Sequence, residues 1–246
     1  MAQRRKIGLA RALSKLGYCS RSEASELVRA GRVMLNQRVR RDPECPVDLP
    51  SAHIQVDSHA IRAQARIYLA LNKPRGVITT ASDDKNRRTV YQCLDQNLPW
   101  LAPVGRLDKA SEGLLLMTND PEWSARILDP ATHLEKTYHV QVGIVAQPEL
   151  IAGMTQGVQS AGRELLRVKC ARILRQGGRN SWLEIVLDEG KNRHIRRLLD
   201  QLGIEVLRLV RVAIGPLSLG DLVKGSYRPL LPSEKQALDR AIMRHF

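Results

Sequence analysis

Apolar residues Ile7, Leu9, Ala10, Leu13 and Leu16 recur at helical spacing, and Gly17 ends the run. Ser20-Arg21-Ser22-Glu23 follows as a capping box, in which the serine and glutamate can satisfy each other's backbone donors. It opens a second helix over 22–30 with Ala24, Leu27 and Val28 inward, and Gly31 stands where a C-cap glycine belongs. Residues 32–35 and 38–41 then read as a hairpin about Asn36-Gln37, and 54–57 as a short strand. Beyond residue 66 the pattern changes to short, apolar, strand-like runs at 67–72 and 77–80, the first stopped by the turn Lys73-Pro74-Arg75-Gly76. A polar loop over 83–88 leads to a short helix at 90–94. Later runs predict strands at 114–118, 135–142 and 205–217. Gly190 breaks a strand ahead of a helix that buries Ile195, Leu198, Leu199 and Leu202. Residues 226–230 close the pattern, and 233–246 form a charged helical tail.

Composition narrows the class. Of 246 residues 43% are hydrophobic, enough for a core, and no run approaches the roughly 18 apolar residues of a membrane span. The start is basic but no secretory apolar core follows it, and Cys19, Cys45, Cys93 and Cys170 are scattered with no C-x-x-C pair. Zinc knuckles and a disulfide scaffold are therefore not expected, and a reducing cytoplasm is. The formal charge of +14 points to a polyanionic partner, nucleic acid first. It is unevenly placed: residues 1–66 hold 13 Lys/Arg against 6 Asp/Glu, half of the excess in about a quarter of the chain. With the proline-rich stretch 42–50, this predicts two domains meeting near 62–66. Arg dominates the first, and the planar guanidinium suits phosphate. Arg11, Arg21, Arg32 and Arg38 are candidate RNA contacts.

The run 9–24, then Ala30-Gly31-Arg32-Val33 and Leu35-Asn36, resembles the small RNA-binding domain first known from ribosomal small-subunit protein S-four. Gln37 stands where that family usually has a turn glycine, so a turn other than the type I′ form is expected.

Chemistry concentrates at Arg106-Leu107-Asp108-Lys109, a polar loop feeding an apolar strand. Such a loop can hold a catalytic carboxylate on a rigid element, and the flanking cations favour its ionised form. Asp108 could equally cap the turn or pair with Arg106. With Glu112, read as lying in a turn, it could form the carboxylate pair of a glycosidase. The stretch Gly105–Asp120 resembles the signature of bacterial ribosomal RNA pseudouridine synthases of the Rsu branch, with Ser111 for the commoner threonine and Pro121 for a glycine. Glu135-Lys136-Thr137-Tyr138-His139-Val140-Gln141-Val142 and Leu187–Leu199 resemble two further segments of that family, with His194 in place of a glutamine.

The resemblance covers nearly all of residues 5–232. It implies an α+β protein: an S-four-like domain over 5–62, then a catalytic domain over 66–232 with a mixed, mainly antiparallel sheet, then the tail 233–246. It implies isomerisation of one uridine in ribosomal RNA, free or in an assembling subunit, with Asp108 as nucleophile or base, Tyr138 stacking on the uracil and Arg196 as the buried partner of Asp108. Arg106 and Arg193 join the RNA-binding set, Arg106 also being expected to face Asp108. His194 is expected to make a polar contact, and Leu209 either touches the base or packs in the core. No cofactor or metal is required and no ligand-spaced histidines occur, so none is expected, and neither is a membrane partner; the chain is expected to be a cytoplasmic monomer. The other class of reading is a non-catalytic ribosome-assembly factor on the same RNA-binding surface.

Overall fold

The structure is a computed structural model that describes residues 6–81, 83–159 and 164–243. Residue 5, where the first domain is expected to begin, and 244–246 of the tail lie outside the described residues. The chain divides into two compact units, one of residues up to Tyr68 with Asp95–Ala102 and Met117–Trp123, the other of Leu69–Leu94, Pro103–Leu116 and the chain from Ser124 on.

In the smaller unit, helices α1 (Leu9–Lys15) and α2 (Arg21–Arg29) pack with strands β1 (Val33–Leu35), β2 (Arg38–Arg40), β3 (Ile54–Val56) and β4 (His59–Ala60), paired in the order β2-β1-β3-β4. Leu9, Leu13, Ala24, Val28, Val33, Leu35, Ile54 and Val56 share its core. Ser20 Oγ accepts from the Glu23 N–H at 3.1 Å, so the cap forms as the sequence predicts. Gly31, at φ +75°, closes α2 with its N–H on Val28 and the Arg32 N–H on Leu27. Ile7 does not start α1: Ile7–Gly8 is a short strand against Pro46–Val47. The β1–β2 turn also departs from expectation. Asn36 and Gln37 sit at φ 50° and 64°, the type I′ arrangement without glycine. Asn36 explains how: its backbone N–H donates to the His53 carbonyl and its Oδ1 accepts from the His53 N–H, both at 2.9 Å. The same unit uses Thr118-Asn119-Asp120 as a clasp. Thr118 Oγ1 donates to the Ile67 carbonyl, and the Asn119 amide takes the Ile67 N–H and gives to the Ala65 carbonyl. Asp120 accepts from Tyr68 and from the Trp123 N–H, which makes it the cap of α3 (Pro121–Leu128). Pro121, the departure from the family pattern, thus occupies the first helical position, where its missing N–H is no loss.

The larger unit is built on a sheet of β5 (Tyr68–Lys73), β6 (Glu112–Thr118), β7 (Lys136–Val142), β8 (Cys170–Gln176), β9 (Ser181–Leu187), β10 (Val206–Ile214) and β11 (Tyr227–Pro229), in the order β8-β9-β7-β10-β6-β5-β11. β8-β9, β9-β7, β7-β10 and β5-β11 pair antiparallel and β10-β6 parallel, so the sheet is mixed and mainly antiparallel. Val140, Val142, Leu183, Ile185, Leu187 and Leu209 make one face apolar. Helices α4 (Pro148–Gln156) and α5 (His194–Gln201) cover it with Met154, Ile195, Leu198 and Leu199. Leu202 falls just past α5, and α6 (Pro232–Met243) buries Leu238 and Ile242. Two expectations fail here. Residues 77–80 form only a single bridge, Ile78 to Thr89, because that segment ties itself to the Asp108 loop instead of to a sheet edge. Glu112 is not in a turn: it starts β6, whose seven residues are all buried.

Candidate active site

Asp108 lies in the loop between the short strand Ala102–Val104 and β6, and other segments hold that loop along its length. Thr79 Oγ1 donates to the Leu107 carbonyl at 2.8 Å and the Gly76 N–H donates to the Lys109 carbonyl at 2.7 Å. The Ser111 N–H closes on Asp108's own carbonyl, and Lys73 Nζ donates to the Ser111 carbonyl at 2.7 Å. Arg196 supplies the remaining tie, Nη2 to the Ala110 carbonyl at 3.1 Å. Where the loop joins the sheet, Gly113 has φ +101°, and a Cβ there would lie 2.3 Å from the Arg211 carbonyl oxygen. Only glycine lets β6 approach β10 this closely.

Asp108 opens onto a cleft of about 550 Å³ in the larger unit. Tyr138 reaches the same cleft from the middle of β7, half-buried against the apolar cluster, and Leu209 from β10. Arg196 comes from the first turn of α5, and Arg193 from its N-cap, held at φ 48°. Arg106 lines the cleft as an exposed side chain. The structure thus brings Asp108, Tyr138, Arg196, Arg106, Arg193 and Leu209 together. It does not join Asp108 to either arginine: among the described residues Asp108 makes no ion pair within 4.0 Å. Arg196 gives one Nη to the loop backbone, and its Nε is buried without a partner. Burial and the neighbouring Arg193 push the Arg196 pKa down, while the Asp108 charge pulls it up, so the two sense each other across the cleft. Among the described residues neither ring nitrogen of His194 finds a hydrogen-bond partner. Both its ring nitrogens are buried, and Nδ1 is 3.4 Å from Glu189; burial lowers its pKa against the pull of that carboxylate.

Three cations escaped the sequence reading. Lys73, read as part of a turn, is fully buried behind the Asp108 loop; burial brings its pKa down to about 8 although the Asp108 charge opposes this. Arg211 is buried, gives Nε to the Leu114 carbonyl at 2.7 Å and leaves Nη2 unpartnered. Lys136 lines the cleft half-buried without a hydrogen bond or ion pair to any described residue, its pKa lowered by burial and then by Arg211. For Arg211 the available signal was a charged residue within the apolar strand Val206–Ile214. Glu112, the second carboxylate of the glycosidase reading, does not line the cleft; Arg208 and Lys224 grip it instead and, against its burial, hold its pKa below the usual range. In the smaller unit Arg11, Arg21 and Arg38 are exposed, while Arg32 is clamped on Asp57 through Nε and Nη2.

A loop-borne carboxylate, a tyrosine and several arginines thus line one cleft. Comparison with known proteins places the chain in a family. Residues 67–201 match the RNA pseudouridylate synthase family and residues 7–54 the S4 domain. An RNA pseudouridine synthase of Aquifex aeolicus is 35% identical over 94% of this chain and 92% of its own length. The ribosomal large subunit pseudouridine synthase B of Bacillus subtilis is 33% identical over 96% and 97%. A crystal structure of a pseudouridylate synthase matches 94% of this chain and 99% of its own at a TM-score of 0.65 and 29% identity. The chain belongs to the RNA pseudouridylate synthase family, joined to an N-terminal S4 domain.

Proposed function

We propose that this protein converts a specific uridine of ribosomal RNA to pseudouridine, with Asp108 attacking as nucleophile or acting as base. The observation that carries the reading is the convergence of Asp108, Tyr138 and Arg196, from three separate segments, on one cleft. Tyr138 stacks on the base, and Arg196 fixes the Asp108 loop through its hydrogen bond to the Ala110 carbonyl. The target uridine must be splayed out of folded RNA, at a cost of a few kcal/mol. Exposed Arg11, Arg21 and Arg38 on the S4 unit, with Arg106 and Arg193 at the cleft, offset that cost through phosphate contacts. Isomerisation transfers no external group and changes no oxidation state, so no cofactor enters. We further propose that the protein acts as a cytoplasmic monomer on the domains 5–62 and 66–232; among the described residues no helix is long and apolar enough to cross a membrane.

The test is Asp108→Asn, scored by pseudouridine-specific chemical mapping of ribosomal RNA. Loss of one modified uridine with RNA binding retained is expected. Modification at the full level would overturn the assignment of Asp108, and tight binding by the wild-type chain with no converted uridine would favour the assembly-factor reading.

A further inference from the structure

The cleft carries more positive charge than its carboxylates can answer. Six Lys/Arg and three Asp/Glu line it among the described residues. The arginines at the rim, Arg106 and Arg193, are exposed and suit phosphates. Lys136 and Arg211 are placed differently. The β7–β10 register sets Tyr138 opposite Arg211 and Val140 opposite Leu209, with a bulge between Thr137 and Tyr138. Lys136 precedes Tyr138 by two residues on β7, so Lys136, Tyr138, Leu209 and Arg211 share one face, and all four line the cleft. A bulge beside a site commonly re-aims side chains in this way. The result is a slot with a flat aromatic wall, an apolar wall and two cations. Among the described residues Arg211 Nη2 is buried without an acceptor, and Lys136 makes no hydrogen bond or ion pair. Asp188 is the carboxylate nearest in effect to Lys136, and it opposes the push of burial and of Arg211 without forming an ion pair with it. Leaving two neighbouring cations unanswered in a half-buried slot is expensive unless an anion completes them.

We propose that Lys136 and Arg211 hold the negative charge of the uracil once it has been detached from its ribose. This rests on the isomerisation proposed above. In that reaction the C1′–N1 bond breaks and its electron pair leaves with the base, spreading over N1, O2 and O4. Asp108 either forms a bond to C1′ or takes the 2′ proton. The base turns, C5 bonds to C1′ as Asp108 leaves or returns its proton, and the proton lost from C5 is matched by one gained at N1. The bound uridine is neutral and the detached base is an anion, so cations in the base slot bind the transition state more tightly than the substrate. A phosphate would be charged throughout, and the exposed arginines at the rim already offer it a place.

The experiment measures single-turnover conversion and affinity for in-vitro transcribed ribosomal RNA, for the wild-type chain, Lys136→Met and Lys136→Arg, over a series of salt concentrations. Lys136→Met is expected to slow conversion by about tenfold to a hundredfold with affinity and its salt dependence unchanged, and Lys136→Arg to recover most of the rate. Three results overturn the proposal: an unchanged rate in Lys136→Met; a weakened affinity with the log–log salt slope reduced by about one at an unchanged rate, which marks a phosphate contact; or no recovery in Lys136→Arg. A wild-type chain that converts no uridine overturns the functional reading itself, which these three results leave standing.

Discussion

Gly113→Ala tests the junction on which the site is hung. At φ +101° an alanine is strained, and such backbone strain costs about 1–3 kcal/mol. The new methyl would also stand 2.3 Å from the Arg211 carbonyl oxygen and 2.8 Å from its nitrogen, both backbone atoms that cannot rotate away. β6 and β10 must part, at a junction only two residue pairs long, Glu112 with Val210 and Gly113 with Arg211. Loosening one or two backbone hydrogen bonds adds about 1–3 kcal/mol. The sum, about 2–6 kcal/mol, corresponds at about 2–4 °C per kcal/mol to a midpoint lower by roughly 4–24 °C for a chain of this size. Urea unfolding followed by circular dichroism, with Gly178→Ala as a control, measures it. A Cβ at Gly178 meets nothing within 4 Å, so that variant should differ little from wild type. A Gly113→Ala loss below about 1 kcal/mol would show that the strands can separate freely and would refute the argument from close approach.

Gly153 lies inside α4 with nothing near its missing Cβ, so Gly153→Ala should stabilise by about 0.5–1 kcal/mol in the same urea titration; a destabilised variant would contradict this. Lys73 titrates near 8 when folded and near 10.5 when unfolded. Between those values the unfolded chain holds a proton that the folded chain has released, so wild type should gain stability relative to Lys73→Met as the pH rises through that window. A difference that stays flat or falls there refutes the burial argument. Because Arg32 is clamped on Asp57 while Arg21 is free of any carboxylate within 4.0 Å among the described residues, Arg21→Ala should weaken RNA binding and lower its salt slope more than Arg32→Ala does. Equal losses in filter binding would show that RNA displaces the clamp.

The N-terminal unit was legible because its signals are local. Ser20, Gly17 and Gly31 cap helices by hydrogen bonds within a few residues, and they do what their positions in the sequence say. The turn at Asn36-Gln37 was misread because its stabilising partner, His53, lies across the sheet. In the larger unit the motifs announced Asp108, Tyr138 and Arg196. The direct Asp108–Arg196 pair did not materialise; Arg196 instead gives Nη2 to the Ala110 carbonyl, a backbone tie that no pattern of residue types reveals. Lys73 and Glu112 illustrate the remaining gap. A lysine before proline and a glutamate before glycine read as turn residues; only the pairing of β5 and β6 into the sheet shows that both are buried. β8 left no clear signal in the sequence, because its alternation is blurred by Arg172 and Arg175 and by a bulge between Ile173 and Arg175.

The carbonyls of residues 107 to 111 each have a donor, four of them brought from elsewhere: Thr79, Gly76, Arg196 and Lys73. The shape of the Asp108 loop is therefore imported through its main chain and owes little to its own side chains. It behaves as a clamped cassette, in which Arg106, Lys109 and Ala110 can be exchanged without moving the carboxylate, while changes at the distant Gly76 or Thr79 would shift it. Substrate preference could in this way be retuned at the mouth of the cleft with the chemistry left in register, and a saturation library over these positions would find its tolerated and its forbidden sites in different parts of the chain.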